Sequence, residues 1–349
     1  MAAPPNTRVV LQAYAPSDVH STSYFTIDRS QRVPEASSLQ PGQVLVKTEA
    51  LSIDPHHRLY IDAPHESGPA AEFTYPLGQP IFGVGVAAVV ASSSSRFSAG
   101  DWVRAEELPW QAYAVLPEAA LTKLPKSAAP LADYIGVLGM PAFTAYLGTV
   151  VVGQPRVGET LLVSAAAGAV GQMVVQLAKA RGLRVVGVAG SHEKAAHVES
   201  IGADAVINYK TCGDFAQAIT DAAPGGVDIY FDNVGGEFLD AALLNLNTHA
   251  RVVLCGSMST YAADKSKIAG IKNLDTVIVK EVTLRSIFYQ LHLGTDVEAA
   301  FLEEMERLQA AGQIQFKTDE RQGLESAPQA LVDLFTGRNF GKLIVRAAS

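Results

Sequence analysis

Between Leu161 and Arg181 an apolar run passes through a turn of small residues into a helically spaced segment, an order that few folds accommodate. Leu161-Leu162-Val163-Ser164 is the apolar run. Ala166-Ala167-Gly168-Ala169-Val170-Gly171 is the turn, and Val170, Met173, Val174, Leu177 and Ala178 then recur at helical spacing. The pattern predicts a strand, a tight turn and a helix with one buried face. Small side chains at Ala166, Gly168, Ala169, Val170 and Gly171 let the backbone approach a pyrophosphate, which the free N–H groups of the helix start would face. The last glycine lets helix and strand pack closely. The first fingerprint position holds Ala instead of Gly, and a glycine pair that only packs a helix is the bland alternative. Context favours the dinucleotide: a strand before, a helix after, and a second strand at the right distance.

That second strand, Leu183–Ala189, ends at Gly190-Ser191-His192-Glu193-Lys194. An NAD site places Asp or Glu about 20 residues beyond the fingerprint to hold the ribose 2′-hydroxyl. Here the carboxylate is missing, and Ser191 and Lys194 can meet a 2′-phosphate. The expected cofactor is NADP+/NADPH.

The chain of 349 residues is 48% hydrophobic and 18% charged, with a net charge of −8 and no basic cluster. This is the profile of a soluble enzyme of two domains, and it argues against nucleic acid as a partner. No apolar run reaches the ~18 residues of a membrane span, so no membrane partner is expected. The start, Met1 to Arg8, has no apolar signal-peptide core, which points to the cytoplasm. Cys212 and Cys255 are the only cysteines, too few for a cysteine zinc cluster, and both read as buried small side chains.

The first part of the chain looks β-rich. Strand-like segments at 8–12, 43–49 and 83–90 are separated by turn residues, and the glycines of the third suggest a bent barrel strand. From about Leu131 strands and helices alternate, with strands at 161–164, 183–189, 205–208, 227–232, 251–255 and 282–287. Helices are expected at 169–181, 192–201, 213–222, 236–246 and 296–311. This predicts an α/β fold: a Rossmann doubly wound parallel sheet of six strands over residues 129–311. The β-rich domain takes residues 1–128 and 312–349, since the final strand, 341–346, should return to it. Ligands would collect at the carboxyl edge of the parallel strands, between the two domains.

The chain resembles the zinc-independent medium-chain dehydrogenase/reductase superfamily, and within it the leukotriene hydroxydehydrogenase/prostaglandin reductase family. That family includes plant alkenal/one double-bond reductases and bacterial curcumin reductase. The markers run essentially end to end: Leu51-Ser52-Ile53-Asp54-Pro55, Gly139 to Tyr146, Ser164 to Gly171, Ala189 to Lys194, Asn208-Tyr209-Lys210, Tyr230 to Gly236, Cys255 to Tyr261 and Asn339-Phe340-Gly341-Lys342. The resemblance implies a GroES-like β-rich domain beside the Rossmann domain. It implies that Gly190, Ser191, Lys194 and Tyr209 hold the 2′-phosphate, and that Asn233 and Val234 line the dinucleotide groove. Met140 and Thr144 would lie beside the cofactor, and Asn339 would contact its nicotinamide half, framed by Cys255, Gly256, Ser257 and Phe288. Asp54, Pro55, His57, Tyr60 and Phe288 would border the substrate, and Tyr261 would point toward its carbonyl. Two segments depart from the family. It usually has an aromatic, Met, Arg and Gly after Asp-Pro, where this chain has His56-His57-Arg58-Leu59. Leu284 to His292 also lacks the usual glycine.

Zinc-dependent relatives need a catalytic Cys in the early loop, a Gly-His-Glu motif and a four-cysteine lobe. Here the loop reads Asp54-Pro55-His56-His57, the motif's position falls in Gln79 to Gly83, and the lobe is missing. In an extended segment His56 and His57 would face opposite sides, so no metal is expected. Without a Lewis acid, conjugate reduction fits better than alcohol oxidation. The expected activity is NADPH-dependent reduction of the C=C bond of α,β-unsaturated ketones and aldehydes, with hydride to the β-carbon and Tyr261 stabilising the enolate oxygen. The enzyme alternative is an NADPH:quinone oxidoreductase, and a third reading is an NADPH-sensing protein without turnover. A homodimer is expected through the last Rossmann strand, near Val282–Ile287, whose edge needs covering.

Overall fold

The computed structural model describes residues 4–17, 20–63, 74–125 and 129–347. The chain divides into two compact units. One comprises Met1–Ile135, Thr318–Asn339 and Leu343–Ser349, the other Gly136–Lys317 and Phe340–Lys342. The expected domain limit at residue 128 lies outside the described residues, as do Met1 and Ser349.

The first unit is built on antiparallel strands. A hairpin-like pair, β1 (Arg8–Leu11) and β2 (Phe25–Asp28), stands beside a larger sheet. In that sheet β3 (Gln43–Ser52), β4 (Phe82–Ser92) and β5 (Trp102–Pro109) run side by side, with β6 (Tyr113–Pro117) also on β3 and β7 (Thr122–Lys123) on β5. A short helix, α1 (His57–Tyr60), follows β3. The glycines expected to bend the third strand do so for a steric reason. A Cβ at Gly85 would sit 2.6 Å from Leu108 and 3.0 Å from the Ala50 carbonyl, and the β4–β5 register shifts between Gly83 and Gly85.

The second unit is a doubly wound sheet. After α2 (Met140–Tyr146) and a π-helical turn, Leu147–Val152, the chain alternates through β8 (Thr160–Val163), α3 (Ala169–Lys179), β9 (Arg184–Ala189), α4 (His192–Ser200) and β10 (Ala205–Asn208). It continues with α5 (Phe215–Ala222), β11 (Val227–Asp232), α6 (Gly236–Leu244), β12 (Leu246–Leu254), α7 (Asp275–Val279), β13 (Thr283–Ser286) and α8 (Asp296–Ala310). The six strands are parallel and ordered β10-β9-β8-β11-β12-β13. The order reverses direction at β8, so the topological switch point lies between β8 and β11, where such sheets bind ligands at their carboxyl edge. The central strands are buried on both faces: Leu161, Leu162, Val163, Ile229, Tyr230 and Phe231 have no exposed surface. That is why they read as unbroken apolar runs.

The tail gives β14 (Thr318–Gln322), α9 (Ala327–Phe335) and β15 (Lys342–Arg346). β15 pairs with β3, so the last strand returns to the first unit as expected. Strands β2, β6, β7 and β14 escape the sequence reading, and β12 begins five residues before the expected 251. Its early half is broken by a register shift and by His249 at φ 62°, which hides the apolar pattern. Among the described residues no helix is long and apolar enough to cross a membrane.

Candidate cofactor and substrate site

The fingerprint turn is tight because its backbone is folded onto itself. Ala165 adopts a left-handed φ of 51°, Gly168 donates to the Ala165 carbonyl at 2.9 Å, and Ala166 donates to Val188 of β9 at 2.8 Å. At Gly171 a Cβ would collide with the Ala165 carbonyl and lie 2.7 Å from the Ala166 Cα. The third glycine is therefore required by close helix–strand packing. Alanine at the first position is tolerated because the neighbouring strand carries Gly187, where a Cβ would come 3.1 Å from that of Ala166 and 2.5 Å from Val198. Gly168 is the N-cap of α3 and no side chain caps that helix, the arrangement by which helix N-termini meet anions.

Beyond β9, Ser191 caps α4 and accepts from the Lys194 N–H at 3.2 Å. Gly190 is needed for space, since a Cβ there would lie 2.7 Å from the Tyr209 ring and 2.8 Å from its hydroxyl. Tyr209 remains 44% exposed with Lys210 over its ring at 5.9 Å. These residues bring two cations, a hydroxyl and an aromatic face to one edge of the sheet, a donor set that fits a phosphate monoester.

Across the switch point the loops after β8, β11 and β12 are laced together. Asn233 donates its side-chain amide to the Ser164 carbonyl at 2.7 Å and its backbone N–H to Ser164 Oγ at 2.8 Å. Cys255 and Gly256 donate to the Asp232 carbonyl at 2.9 and 3.1 Å. Met258 and Ser259 donate to Asn233 and Val234. Ser257 packs on Gly235, which holds φ 67°. Tyr261 ends this loop, and a Cβ at Gly256 would sit 3.0 Å from its hydroxyl. Phe288, just past β13, is 49% exposed, and its neighbour Ile287 donates to Leu254 at the end of β12. Cys212 and Cys255 are free and retain some exposure, in place of the full burial expected. Burial of its sulfur, with the Asp232 charge adding, still pushes the Cys255 thiol up to about 12.

Met140 opens α2 and Thr144 is buried within it. Asn339 is buried and immediately precedes the Phe340–Lys342 segment of the second unit. That segment is anchored by residues the sequence reading passed over. Gln172 and Gln176 of α3, both buried, pair their side-chain amides with the backbone N–H and carbonyl of Lys317 and Gln315 at 2.7–3.1 Å. Lys342 donates to the Lys317 carbonyl, and Gly341 bridges to Gly168 of the fingerprint. The available signal was two glutamines four apart on an otherwise apolar helix face.

In the first unit Asp54, Pro55, His57 and Tyr60 share one turn. The segment is not extended. His57 opens α1, His56 precedes it with helical φ and ψ, and the two imidazoles stack at 4.4 Å and 27° instead of facing opposite sides. His57 has no exposed surface and lies against Gly83 and Trp110, so the accessible imidazole is that of His56, which also meets Tyr60 at 5.4 Å. Donor atoms of Asp54, His56 and His57 lie within 4.8 Å of one another. They do not fit a zinc ion. Zinc sits in the plane of each imidazole about 2.0–2.1 Å from nitrogen, and stacked rings cannot both aim at such a point. The Asp54 carboxylate also accepts from Ser52 Oγ.

Residues 8–124 match the family described as "N-terminal domain of oxidoreductase", and residues 169–307 match "Zinc-binding dehydrogenase". A 2-alkenal reductase (NADP+-dependent) of Nicotiana tabacum is 41% identical over 318 residues, 90% of this chain and 89% of that protein. The NADPH-dependent curcumin reductase of Escherichia coli is 39% identical over 313 residues, 88% of each chain. The chain belongs to the zinc-independent medium-chain dehydrogenase/reductase family. A solved member, CurA of Vibrio vulnificus in complex with NADPH, superposes with a TM-score of 0.89 at 32% identity, covering 98% of this chain and 99% of that one. Within this family the zinc-binding description of the matched segment does not extend to the metal ligands, because the early loop offers Asp54 and stacked imidazoles where a thiolate is needed.

Proposed function

We propose that this chain is an NADPH-dependent reductase of the C=C bond of α,β-unsaturated ketones and aldehydes. The observation that carries the reading is the uncapped N-terminus of α3 beside a β9–α4 corner where Ser191 and Lys194 replace the usual carboxylate. Relatives named as alkenal and curcumin reductases support the substrate class.

Bound NADPH would supply the hydride to the β-carbon, and the α-carbon would take its proton from water or a side chain. The chain's own residues do the rest. Ala166, Gly168, Ala169, Val170 and Gly171 present backbone to the pyrophosphate, while Gly190, Ser191, Lys194 and Tyr209 hold the 2′-phosphate and reject NADH by leaving it unmatched. Asn233, Cys255, Gly256 and Ser257 orient the nicotinamide half, with Met140, Thr144, Phe288 and Asn339 beside it. Tyr261 donates a hydrogen bond to the substrate carbonyl oxygen as it gains enolate charge. In the first unit the Asp54–Tyr60 turn sets which alkene is accepted, through Pro55, His56 and Tyr60, with buried His57 supporting the stacked ring of His56. We also propose a homodimer formed through β13. It is one of the two edge strands of this sheet, with β10 at the other edge, and Ile278 and Val279 just before it are 78% and 77% exposed.

NADPH oxidation against enones, alkenals, quinones and a no-substrate control tests the reading. Turnover is expected with enones and alkenals and to persist in chelators. Oxidation with quinones alone would transfer the chain to the quinone reductases. Light scattering in solution tests the pairing, with a monomer counting against it.

A further inference from the structure

Four of the helices that follow strands of the parallel sheet, α3 to α6, have N-termini that are satisfied differently. α4 is capped by Ser191 and α5 by Asp214, which accepts from Gln217 at 2.8 Å. α3 has no side-chain cap. α6 has Gly235 at its N-cap and so no side-chain cap, yet the N–H groups of Val234 and Gly235 just ahead of it donate to Asp232 Oδ1 at 3.0 and 2.9 Å. The same oxygen accepts from the Tyr230 hydroxyl at 2.6 Å, and Ser164 Oγ lies 3.3 Å away.

An acidic residue therefore sits at a strand end, but on β11 and not on β9, where it would grip a ribose. Asp232 is 1% exposed, and its Oδ2 is buried with no hydrogen-bond partner among the described residues. Burial raises its carboxyl above the ordinary carboxylate range, although hydrogen bonds from Tyr230, Gly235, Val234 and Ser164 pull the other way. Retaining a carboxylate in such a place is unfavourable unless its geometry is used.

We propose that Asp232 is the positioning residue of the nicotinamide-side loops. Its carboxylate occupies the start of α6, its carbonyl holds Cys255 and Gly256, and together they fix Asn233 against Ser164. The inference rests on the NADPH reading above, because Asn233 acts there through the cofactor. Asp232 itself touches neither cofactor nor substrate in this scheme.

The test is a double-mutant cycle on the full chain, with NADPH Kd read from nicotinamide fluorescence. Asp232→Asn is expected to raise the Kd about tenfold, to leave the NADPH-to-NADH preference unchanged, and to have little further effect in an Asn233→Ala background. A merely structural aspartate would lower the melting temperature and show additive Kd effects. A Kd within about twofold of wild type, or a tenfold loss repeated on Asn233→Ala, overturns the inference. Should Asp232→Asn fail to fold, Tyr230→Phe removes one donor to Oδ1 and keeps the charge. The same coupling is then expected on a change of about threefold, and additivity again overturns it. Wild-type protein that binds no NADPH would overturn the cofactor reading and this inference with it, whereas additivity in an NADPH-binding protein overturns the inference alone.

Discussion

The two ends of the proposed dinucleotide groove are built on opposite principles. At the 2′-phosphate end, Tyr209 is 44% exposed, Lys210 reaches over its ring, and the recognition groups lie on a corner open to water. At the nicotinamide end, Asp232 is 1% exposed and three loops are tied to one another by hydrogen bonds between Ser164 and the Asp232–Asn233 pair and between that pair and Cys255, Gly256 and Met258. In the proposed scheme the open end selects by charge and can adapt. The closed end holds geometry and cannot. Selection between NADPH and NADH needs a cation near one phosphate, whereas hydride transfer fails if the ring is misplaced by a fraction of an ångström.

Glycine substitutions separate the two ends most strongly. Gly235→Ala places a Cβ against the Ser257 side chain and 3.3 Å from its Cα, on a backbone already at φ 67° that side chains rarely adopt. We expect a loss of roughly 3 kcal/mol in urea denaturation. Gly190→Ala meets only the exposed Tyr209 ring, which can swing aside, so its stability loss should stay below about 1 kcal/mol while the NADPH KM rises. Equal stability losses would erase the contrast.

Tyr261→Phe comes next. Removing one donor from a developing oxyanion lowers kcat by about 10²-fold, and the KM for NADPH should hold because the aromatic ring remains. Unchanged turnover would take the donor role away from Tyr261. Lys194→Ala, at the open end, should weaken NADPH by roughly 30-fold, about 2 kcal/mol for a charge-assisted phosphate contact. NADH should be almost unaffected. Parallel losses for both cofactors would mean that Lys194 does not meet the 2′-phosphate.

The open end was also the legible one. Gly190, Ser191 and Lys194 follow a strand at a spacing set by the fold, and the missing acid speaks for itself. The fingerprint was readable for the same reason, since Gly171 answers a local steric demand from Ala165 and Ala166. The closed end was not readable beyond family resemblance. Asp232 ends an apolar strand where it reads as the lead into a turn, and its partners come from loops 68 residues upstream and 23 downstream. The Gln172 and Gln176 clamp is equally non-local, reaching 145 and 139 positions along the chain. The His56-His57 pair failed for the opposite reason. Its expected extended geometry was a purely local guess, and the turn after β3 put both residues at the start of a helix.

The smallest effect concerns chemistry that the closed end must avoid. Substrates of the proposed class are Michael acceptors, which add to thiolates, and Cys255 lies among the nicotinamide-side loops. Burial and the Asp232 charge hold its thiol at about 12 against an ordinary value near 9. The sign is clear: the raised pKa keeps the thiol protonated, and at pH 8 only about one part in 10⁴ is thiolate. Native protein at pH 8 should therefore leave Cys255 unmodified by iodoacetamide, as followed by peptide mass spectrometry. Labelling should rise roughly tenfold per pH unit, and denatured protein should react at the rate of a free cysteine. Rapid labelling of native Cys255 at pH 8 would show that the nicotinamide-side loops open on the timescale of the reagent. The closed end would then be no more rigid than the Gly190–Lys194 corner.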